Sequence, residues 1–310
     1  MRVHIHANCQ ALPLAGMLKE VLPDWNVTFF EAHADPVVQQ IEYHRDWVRT
    51  ADLVLCQPIH DGYRDMEELS TTWIRENVRP GGAFLVVPSV HFTGHQVGLD
   101  ELPVDGLPLF SNILAAHLMG QGCTSDEAVS MLTSEDFLTS QEIESEIRLS
   151  LEETERRELA DKIDLPISPF LREHCRVRTL FHTYNHPLRE TMVYIINCLL
   201  DRLGASERVT VSGHDYQPVP NVPPMPAVAR FFREHGGGVA ADAASTIVAM
   251  PGDPPETQAA YFSRMTNRLG AVPRDALNDL ISKRWPAIQV LRRLAAQGSS
   301  IPGIARWAEG

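Results

Sequence analysis

Short apolar runs alternate with longer amphipathic stretches over the first 90 residues of the chain. The apolar runs predict four β-strands, at 3–6, 27–30, 52–56 and 83–87. The stretches between them predict helices, at 12–18, 36–49 and 69–78. Strands separated by helices of this length need right-handed crossovers, so the pattern predicts an α/β fold with a parallel sheet and flanking helices.

The rest of the chain is mostly helical in pattern. Residues 111–165 read as an inserted helical layer, and the glutamate-rich run within it, Ser134–Asp164, predicts a solvated helix face. A later helix is expected over Pro187–Leu203, with Gly204 ending it. Five prolines at 218–226 predict an extended linker. We therefore expect an α/β domain over 1–217 and a helical C-terminal region, 218–310, packed on it.

Composition narrows the class of protein. A net charge of −13 over 310 residues, without a long basic stripe, argues against nucleic-acid or anionic-membrane binding. The five cysteines are widely spaced and form no CxxC pair, so neither a disulfide framework nor a zinc or other metal site is indicated. With neither a secretory leader nor an apolar run of about 20 residues, a cytoplasmic location is expected. The sequence does not indicate an oligomeric state.

Cys9 stands between the first predicted strand and the first predicted helix. The positive end of a helix lowers the pKa of a nearby thiol, so this turn could present Cys9 as a nucleophile. The alternative is that Cys9 is a small buried hydrophobic side chain at a strand end.

Polar side chains also follow the third and fourth predicted strands, at 57–64 and 88–95. Ligands of open parallel sheets bind outside the carboxyl ends of the strands. The pattern therefore predicts one site along this edge, shared with the Cys9 turn.

A second histidine-rich turn carries His182, Asn185 and His186 and precedes the helix predicted from Pro187. A histidine at such a place can act as a general base toward a thiol or hydroxyl. The alternative is that His182 and His186 only line the entry to the helix.

Three segments together resemble the bacterial capsular-polysaccharide biosynthesis proteins of the WcbI type: Asn8-Cys9-Gln10, Pro58-Ile59-His60-Asp61-Gly62-Tyr63-Arg64 and Asn185-His186-Pro187. A looser fourth match is 88–92 with Gly94, and the likeness covers about residues 1–224. The chain departs from the pattern at Ala7, where Gly is expected, and at His95-Gln96-Val97, where Tyr-His-Pro is expected. The resemblance implies coenzyme A binding and acetyl transfer to a capsular sugar.

The chain is also similar, more loosely, to SGNH-type esterases, which implies an SGNH- or flavodoxin-like sheet. Those enzymes place a serine nucleophile after the first strand and a His-Pro pair before a late helix. Here Cys9 replaces the serine and Thr183 stands where the acid would be. Asn185 or a backbone carbonyl would then have to orient His186.

These likenesses lead to the expectation of a CoA-dependent O-acyltransferase that uses acetyl-CoA and a sugar hydroxyl. His186 would be the base, with Asn185 beside it, and the N–H groups of Gln10 and Ala11 would hold the oxyanion, assisted by the Asn8 or Gln10 amide. Cys9 either takes the acyl group or lies beside the CoA thiol. The expected substrate- and CoA-binding residues are Asn8, Gln10, Ala11, His60, Gly62, Tyr63, Arg64, Ser89, His91 and His182. The candidate cations for the phosphates are Arg64, Arg172, His174, Arg176 and Arg178.

Two other hypotheses about the function use the same residues. A non-catalytic CoA- or nucleotide-binding scaffold would keep the pocket without needing a reactive thiol, and an esterase or thioesterase would use water as the acceptor. A thiolate of Cys9 within hydrogen-bond reach of a histidine would favour catalysis, whereas a Cys9 buried among aliphatic side chains would favour the scaffold.

Overall fold

The computed structural model describes residues 1–34, 37–102, 104, 107, 110–216, 221–237 and 256–282. Its strands are β1 (Arg2–Ala7), β2 (Asn26–Glu31), β3 (Leu53–Cys56), β4 (Ala83–Val86), β5 (Leu99–Asp100), β6 (Ser111–Asn112), β7 (Phe181–Thr183) and β8 (His186–Pro187). Its α-helices are α1 (Ala11–Val21), α2 (Val37–Thr50), α3 (Thr71–Asn77), α4 (Ile113–Gly120), α5 (Ser125–Leu132), α6 (Ser140–Ala160), α7 (Ser168–His174), α8 (Arg189–Arg202), α9 (Pro226–Glu234), α10 (Gln258–Leu269) and α11 (Arg274–Ser282).

The chain forms two compact units, each built from separate segments. The first unit consists of Met1–His91, Glu153–Leu171 and His186–Pro218. The second unit consists of Phe92–Glu152, Arg172–Asn185 and Val219–Gly310.

The first unit contains a four-stranded parallel sheet in the order β2-β1-β3-β4. This confirms the predicted strands and the α/β class. The chain moves from β1 outward to β2 and then returns to the other side of β1 as β3. The carboxyl ends of β1 and β3 therefore flank the point at which the strand order reverses, where open α/β sheets leave a crevice for ligands.

Hydrophobic burial on both faces holds this sheet in place. All four residues of β3 are buried, and α1 buries Leu14, Met17 and Leu18. Each fully buried leucine contributes about 1.5–3 kcal/mol relative to an exposed one. The loop between β1 and α1 is thus carried on two rigid elements.

Three buried histidines, His4, His6 and His44, pack together in the first unit. His44 Nε2 lies 2.9 Å from the carbonyl oxygen of Glu68, which can only accept a hydrogen bond, so Nε2 carries the proton. His44 Nδ1 then accepts from His4 Nε2 at 3.0 Å, and His6 Nε2 donates to the Leu69 carbonyl. Among the described residues the Nδ1 atoms of His4 and His6 have no hydrogen-bond partner. All three rings are therefore neutral.

Burial lowers the pKa of all three histidines, that of His44 from 6.5 to about 4. Because the folded-state pKa lies below the unfolded value, the stability that the neutral rings contribute is fully present above pH 6.5. We expect it to be lost as the pH falls from 6.5 toward 4, by up to about 3 kcal/mol for a shift of this size. Urea unfolding at pH 8, 6.5 and 5 measures this loss, which should be smaller in His44→Phe. A free energy of unfolding that stays constant from pH 7 to pH 5 would contradict the assignment.

Residues 111–165 are mainly helical, as predicted, in α4, α5 and α6. α5 begins with a capping box between Thr124 and Glu127, and α6 buries Ile143 and Ile147. One prediction for the acidic run is wrong: Glu146 is not on the solvated face but only 8% exposed. It accepts a hydrogen bond from Thr93 Oγ1 at 2.6 Å, and burial raises the pKa of its carboxyl. Its α6 position falls next to Ile143 and Ile147 on the buried face.

The helix predicted from Pro187 begins two residues later. His186 and Pro187 form β8, Leu188 has the extended backbone of an N-cap, and α8 starts at Arg189. Proline disfavours helical backbone in the residue before it, which is consistent with an extended His186. The predicted end is confirmed, since Gly204 adopts a φ of 69° just after the last turn.

The C-terminal region is helical where it is described, in α9, α10 and α11. Part of the predicted linker, at 218–220, lies outside the described residues, as do 238–255 and 283–310. No helix in the described part of the chain combines the length and apolar character needed to cross a membrane.

Candidate active site

The loop between β1 and α1 is closed by its own hydrogen bonds. Asn8 Oδ1 accepts from the Gln10 N–H at 2.9 Å, and the Asn8 carbonyl accepts from the Ala11 N–H at 2.9 Å. These two N–H groups were the predicted oxyanion donors. That prediction is wrong for this conformation, because Asn8 forms a tight turn in which its side-chain oxygen takes up the Gln10 N–H and its carbonyl takes up the Ala11 N–H.

Two buried glutamine side chains tie this loop to the ends of β3 and β4. Gln57 Oε1 accepts from the Asn8 N–H at 2.9 Å, while Gln57 Nε2 donates to Gln10 Oε1 at 2.8 Å and to the Pro88 carbonyl at 3.0 Å. Gln10 in turn pairs with the backbone of Val90 through both its amide atoms, at 2.8 and 3.1 Å. The Gln10 amide is therefore structural and not turned toward a ligand.

A cavity of about 240 Å³ opens beside this loop, within the first unit. Its lining comes from residues that follow β1, β2, β3 and β4: Asn8, Ala32, His33, Gln57, Pro58, Ile59, His60, Tyr63 and Ser89. Ligand pockets commonly span roughly 300–1,000 Å³, so this cavity suits one end of a larger ligand. It brings together four of the predicted binding residues, namely Asn8, His60, Tyr63 and Ser89.

The loop that supplies His60 and Tyr63 has an unusual backbone. Gly62 adopts a φ of 77°, and Arg64 and Asp65 have φ values of 55° and 58°. Non-glycine residues seldom adopt this left-handed conformation, which is found most often at turns and functional sites. The His60 ring stands edge-on to Tyr63 at 5.7 Å, so the turn presents an aromatic wall to the cavity.

Arg64 has a structural role in this loop. Its Nη1 donates to the carbonyls of His33 and Ala34 at 3.0 and 3.2 Å, which fixes the segment after β2 against the segment after β3. Arg176, another predicted phosphate ligand, lies in the second unit and forms a bidentate pair with Glu144. Arg172, His174 and Arg178 stay predictions.

The Cys9 thiol is half-buried, and its pKa is raised to about 11. Burial is the largest cause, and the nearby Glu31 carboxylate adds to it, while a backbone hydrogen bond opposes the shift. The prediction of a lowered pKa is therefore wrong for this state, since desolvation outweighs the positive end of α1. Among the residues the structure describes, Cys9 makes no hydrogen bond to a histidine.

The remaining predicted residues lie in both units. His186, only 8% exposed, belongs to the first unit, as do Cys9 and His91. Burial, and next the charge of Arg157, lower the pKa of His91 to about 4. His182 and Asn185 belong to the second unit, where Asn185 Oδ1 accepts from Thr183 Oγ1 at 2.9 Å.

Sequence reasoning placed Gln57 at the predicted edge but gave it no role, and it missed His33. Gln57 directly follows β3, and His33 comes two residues after β2. Its position just after the end of a predicted strand was the signal that could have found His33. The described residues contain no group of three or more His, Cys, Asp or Glu side chains placed to hold a metal ion.

Comparison with known proteins gives two matches to one family. The family described as "Polysaccharide biosynthesis enzyme WcbI" matches residues 2–208. A solved structure of WcbI, described as a novel polysaccharide biosynthesis enzyme, matches with a TM-score of 0.79 and 19% identity over 94% of this chain and 98% of that one. That structure is of the native protein without a disulfide bond between CoA and one of its cysteines. At this identity the structural likeness shows a shared fold alone. No protein with a curated description matches the chain.

Proposed function

Because the chain belongs to the WcbI family of polysaccharide biosynthesis enzymes, we propose that it transfers an acyl group, most simply acetyl, from coenzyme A to a sugar hydroxyl. The observation that carries this proposal is the cavity at the point where the strand order reverses, with the Cys9 loop as one wall. The CoA thiol end would enter this cavity. Support for CoA comes from the solved WcbI structure, whose description refers to CoA and a cysteine.

The proposed transfer is direct. His186 takes the proton of the acceptor hydroxyl while the hydroxyl oxygen attacks the thioester carbonyl carbon. The carbon–sulfur bond then breaks, and His186 returns the proton to the departing CoA sulfur. The products are the sugar ester and free CoA thiol, and His186 ends in its starting state. Cys9 stays protonated beside the sulfur, in keeping with a pKa of about 11.

The oxyanion formed in this attack needs donors other than those first expected. Asn8 lines the cavity, and within the described part of the chain its Nδ2 makes a single, long contact, of 3.4 Å, to Ser89 Oγ. The Cys9 backbone N–H is not a second donor of this kind, because it hydrogen-bonds the sulfur of its own side chain, the contact that opposes the rise in the thiol pKa. We assign Asn8 Nδ2 as the oxyanion donor, because preorganised N–H dipoles of this kind can stabilise an oxyanion strongly.

Cys9→Ser tests whether the thiol takes the acyl group. With direct transfer, kcat should stay within a few-fold of wild type, since no bond to Cys9 forms. A covalent route would lose at least about 100-fold, because a serine hydroxyl without an adjacent base is a weak nucleophile. Steady-state release of CoA thiol measures the rate, and Cys198→Ser is the matched control because Cys198 is the other half-buried cysteine. Acetyl-protein that forms and decays at the rate of turnover would contradict direct transfer.

A second function is a CoA-binding scaffold without turnover, which the raised pKa of Cys9 also fits. Acetyl-CoA labelled in its acetyl group separates the possibilities when it is incubated with a panel of free sugars and nucleotide sugars. Transfer predicts equal amounts of base-labile label on a sugar and of free CoA thiol. Thiol release without labelled sugar indicates water as the acceptor, and no release indicates a scaffold.

A further inference from the structure

The side chain of Gln57 connects three strand ends at once. It is 2% exposed and directly follows β3, with its Oε1 on the Asn8 N–H and its Nε2 shared between Gln10 and Pro88. The first contact reaches the loop after β1, and the last reaches the segment after β4. Gln57 also forms part of the cavity wall.

Only one orientation of the Gln57 amide satisfies these partners. The Asn8 N–H can only donate, so it must face Oε1, and the Pro88 carbonyl can only accept, so it must face Nε2. Gln10 Oε1 is likewise held as an acceptor, since it also receives the Val90 N–H at 3.1 Å. An amide is the one neutral side-chain group of this length that both accepts and donates in this way.

We propose that Gln57 is the positioning residue of the site: its amide holds the peptide between Ala7 and Asn8, and with it the Asn8 side chain that supplies the oxyanion donor. The placement of the loop follows from the contacts above, whereas its effect on turnover rests on the proposed acyl transfer. A displacement of about 1 Å in such a site can cost about 100-fold in rate.

Gln57→Glu tests this orientation directly. At neutral or higher pH a carboxylate at this position turns an acceptor oxygen toward both Gln10 Oε1 and the Pro88 carbonyl, so the loop should shift. As the pH falls, the introduced carboxyl takes up a proton and regains one donor. We expect kcat to fall about 100-fold at pH 8 and to recover toward wild type at pH 6.

A second readout does not depend on catalysis. Iodoacetamide alkylates Cys9 at a rate that depends on how the loop holds the thiol, and peptide mass mapping measures this rate. We divide the rate of each variant by the wild-type rate at the same pH to give an alkylation ratio. For Gln57→Glu this ratio should exceed about 5 at pH 8, because the loop is displaced. It should approach 1 at pH 6, because the loop returns to its place when the carboxyl is protonated. Gln121→Glu is the matched control, a buried glutamine in the second unit whose Nε2 donates to Asn278. Its ratio should stay near 1 throughout.

Gln57→Met covers the case in which the charged variant does not fold. It keeps a similar length but loses all three hydrogen bonds, so its alkylation ratio should be raised equally at pH 6 and pH 8. A ratio near 1 for Gln57→Met, or a Gln57→Glu ratio that does not change with pH, overturns the positioning role. If the wild-type protein transfers no acyl group but the two Gln57 variants give the predicted alkylation ratios, the proposed function is refuted and the positioning role of Gln57 is kept.

Discussion

His186→Ala is expected to slow acyl transfer by about 100- to 10,000-fold while the affinity for CoA stays within a few-fold of wild type. A general base acts only while a proton moves. Its removal therefore raises the barrier for the chemical step and leaves ground-state contacts to CoA in place. kcat from the release of CoA thiol and Kd from calorimetry measure the two effects separately.

His182→Ala provides the comparison for His186→Ala, since it changes a histidine of the same sequence turn. It should lower kcat far less than His186→Ala does. If both substitutions weaken CoA binding equally and leave acyl transfer intact, the histidines only position other groups. The hypothesis of a CoA-binding scaffold then replaces that of an enzyme with His186 as its base.

Asn8→Asp is expected to lower kcat by about 100- to 1,000-fold, the usual cost of removing one oxyanion donor. The aspartate keeps the oxygen that accepts the Gln10 N–H, so the turn that leads into α1 is kept. It replaces Nδ2 with a carboxylate oxygen, which would repel a developing oxyanion. The thermal midpoint should therefore change little while turnover nearly vanishes.

Asn112→Asp is a matched control for Asn8→Asp. Asn112 caps α4 in the second unit through the same kind of contact, accepting the Leu114 N–H at 2.9 Å. Its change to aspartate also removes the Nδ2 donor to the Val97 carbonyl, so it should lower the thermal midpoint while kcat of the folded protein stays near wild type. Wild-type kcat in Asn8→Asp, or an equal loss in both variants, would remove Asn8 from the oxyanion site.

The sheet could be predicted from sequence because burial on both faces leaves continuous apolar runs such as Leu53–Cys56. The parallel sheet in turn predicted the edge at which the site lies, because the carboxyl ends of all parallel strands are on the same side of the sheet. The Cys9 loop, His60 and Tyr63 were thus placed correctly relative to the strands, although their roles stay proposals.

The electrostatics of the site could not be predicted in the same way. The Cys9 pKa depends on burial and on Glu31, which pairs with Ala7 only through the register of β1 against β2. The contacts of Gln57 likewise depend on where β1, β3 and β4 end relative to one another. Such long-range placements are absent from local sequence patterns, and they decide the hydrogen-bond partners of the Cys9 loop.

Calorimetric titration with CoA tests the central claim most directly, because binding in the cavity beside Cys9 precedes any transfer. Ser89 is exposed at the cavity wall, so Ser89→Trp should block the cavity without disturbing the core, and Ser206→Trp is a control at another exposed serine of the first unit. The wild-type protein and Ser206→Trp should give saturable heat, whereas Ser89→Trp should bind at least about tenfold more weakly, which corresponds to about 1.4 kcal/mol. Neither heat nor a thermal shift at millimolar CoA for the wild-type protein, or equal binding by Ser89→Trp, would contradict the claim.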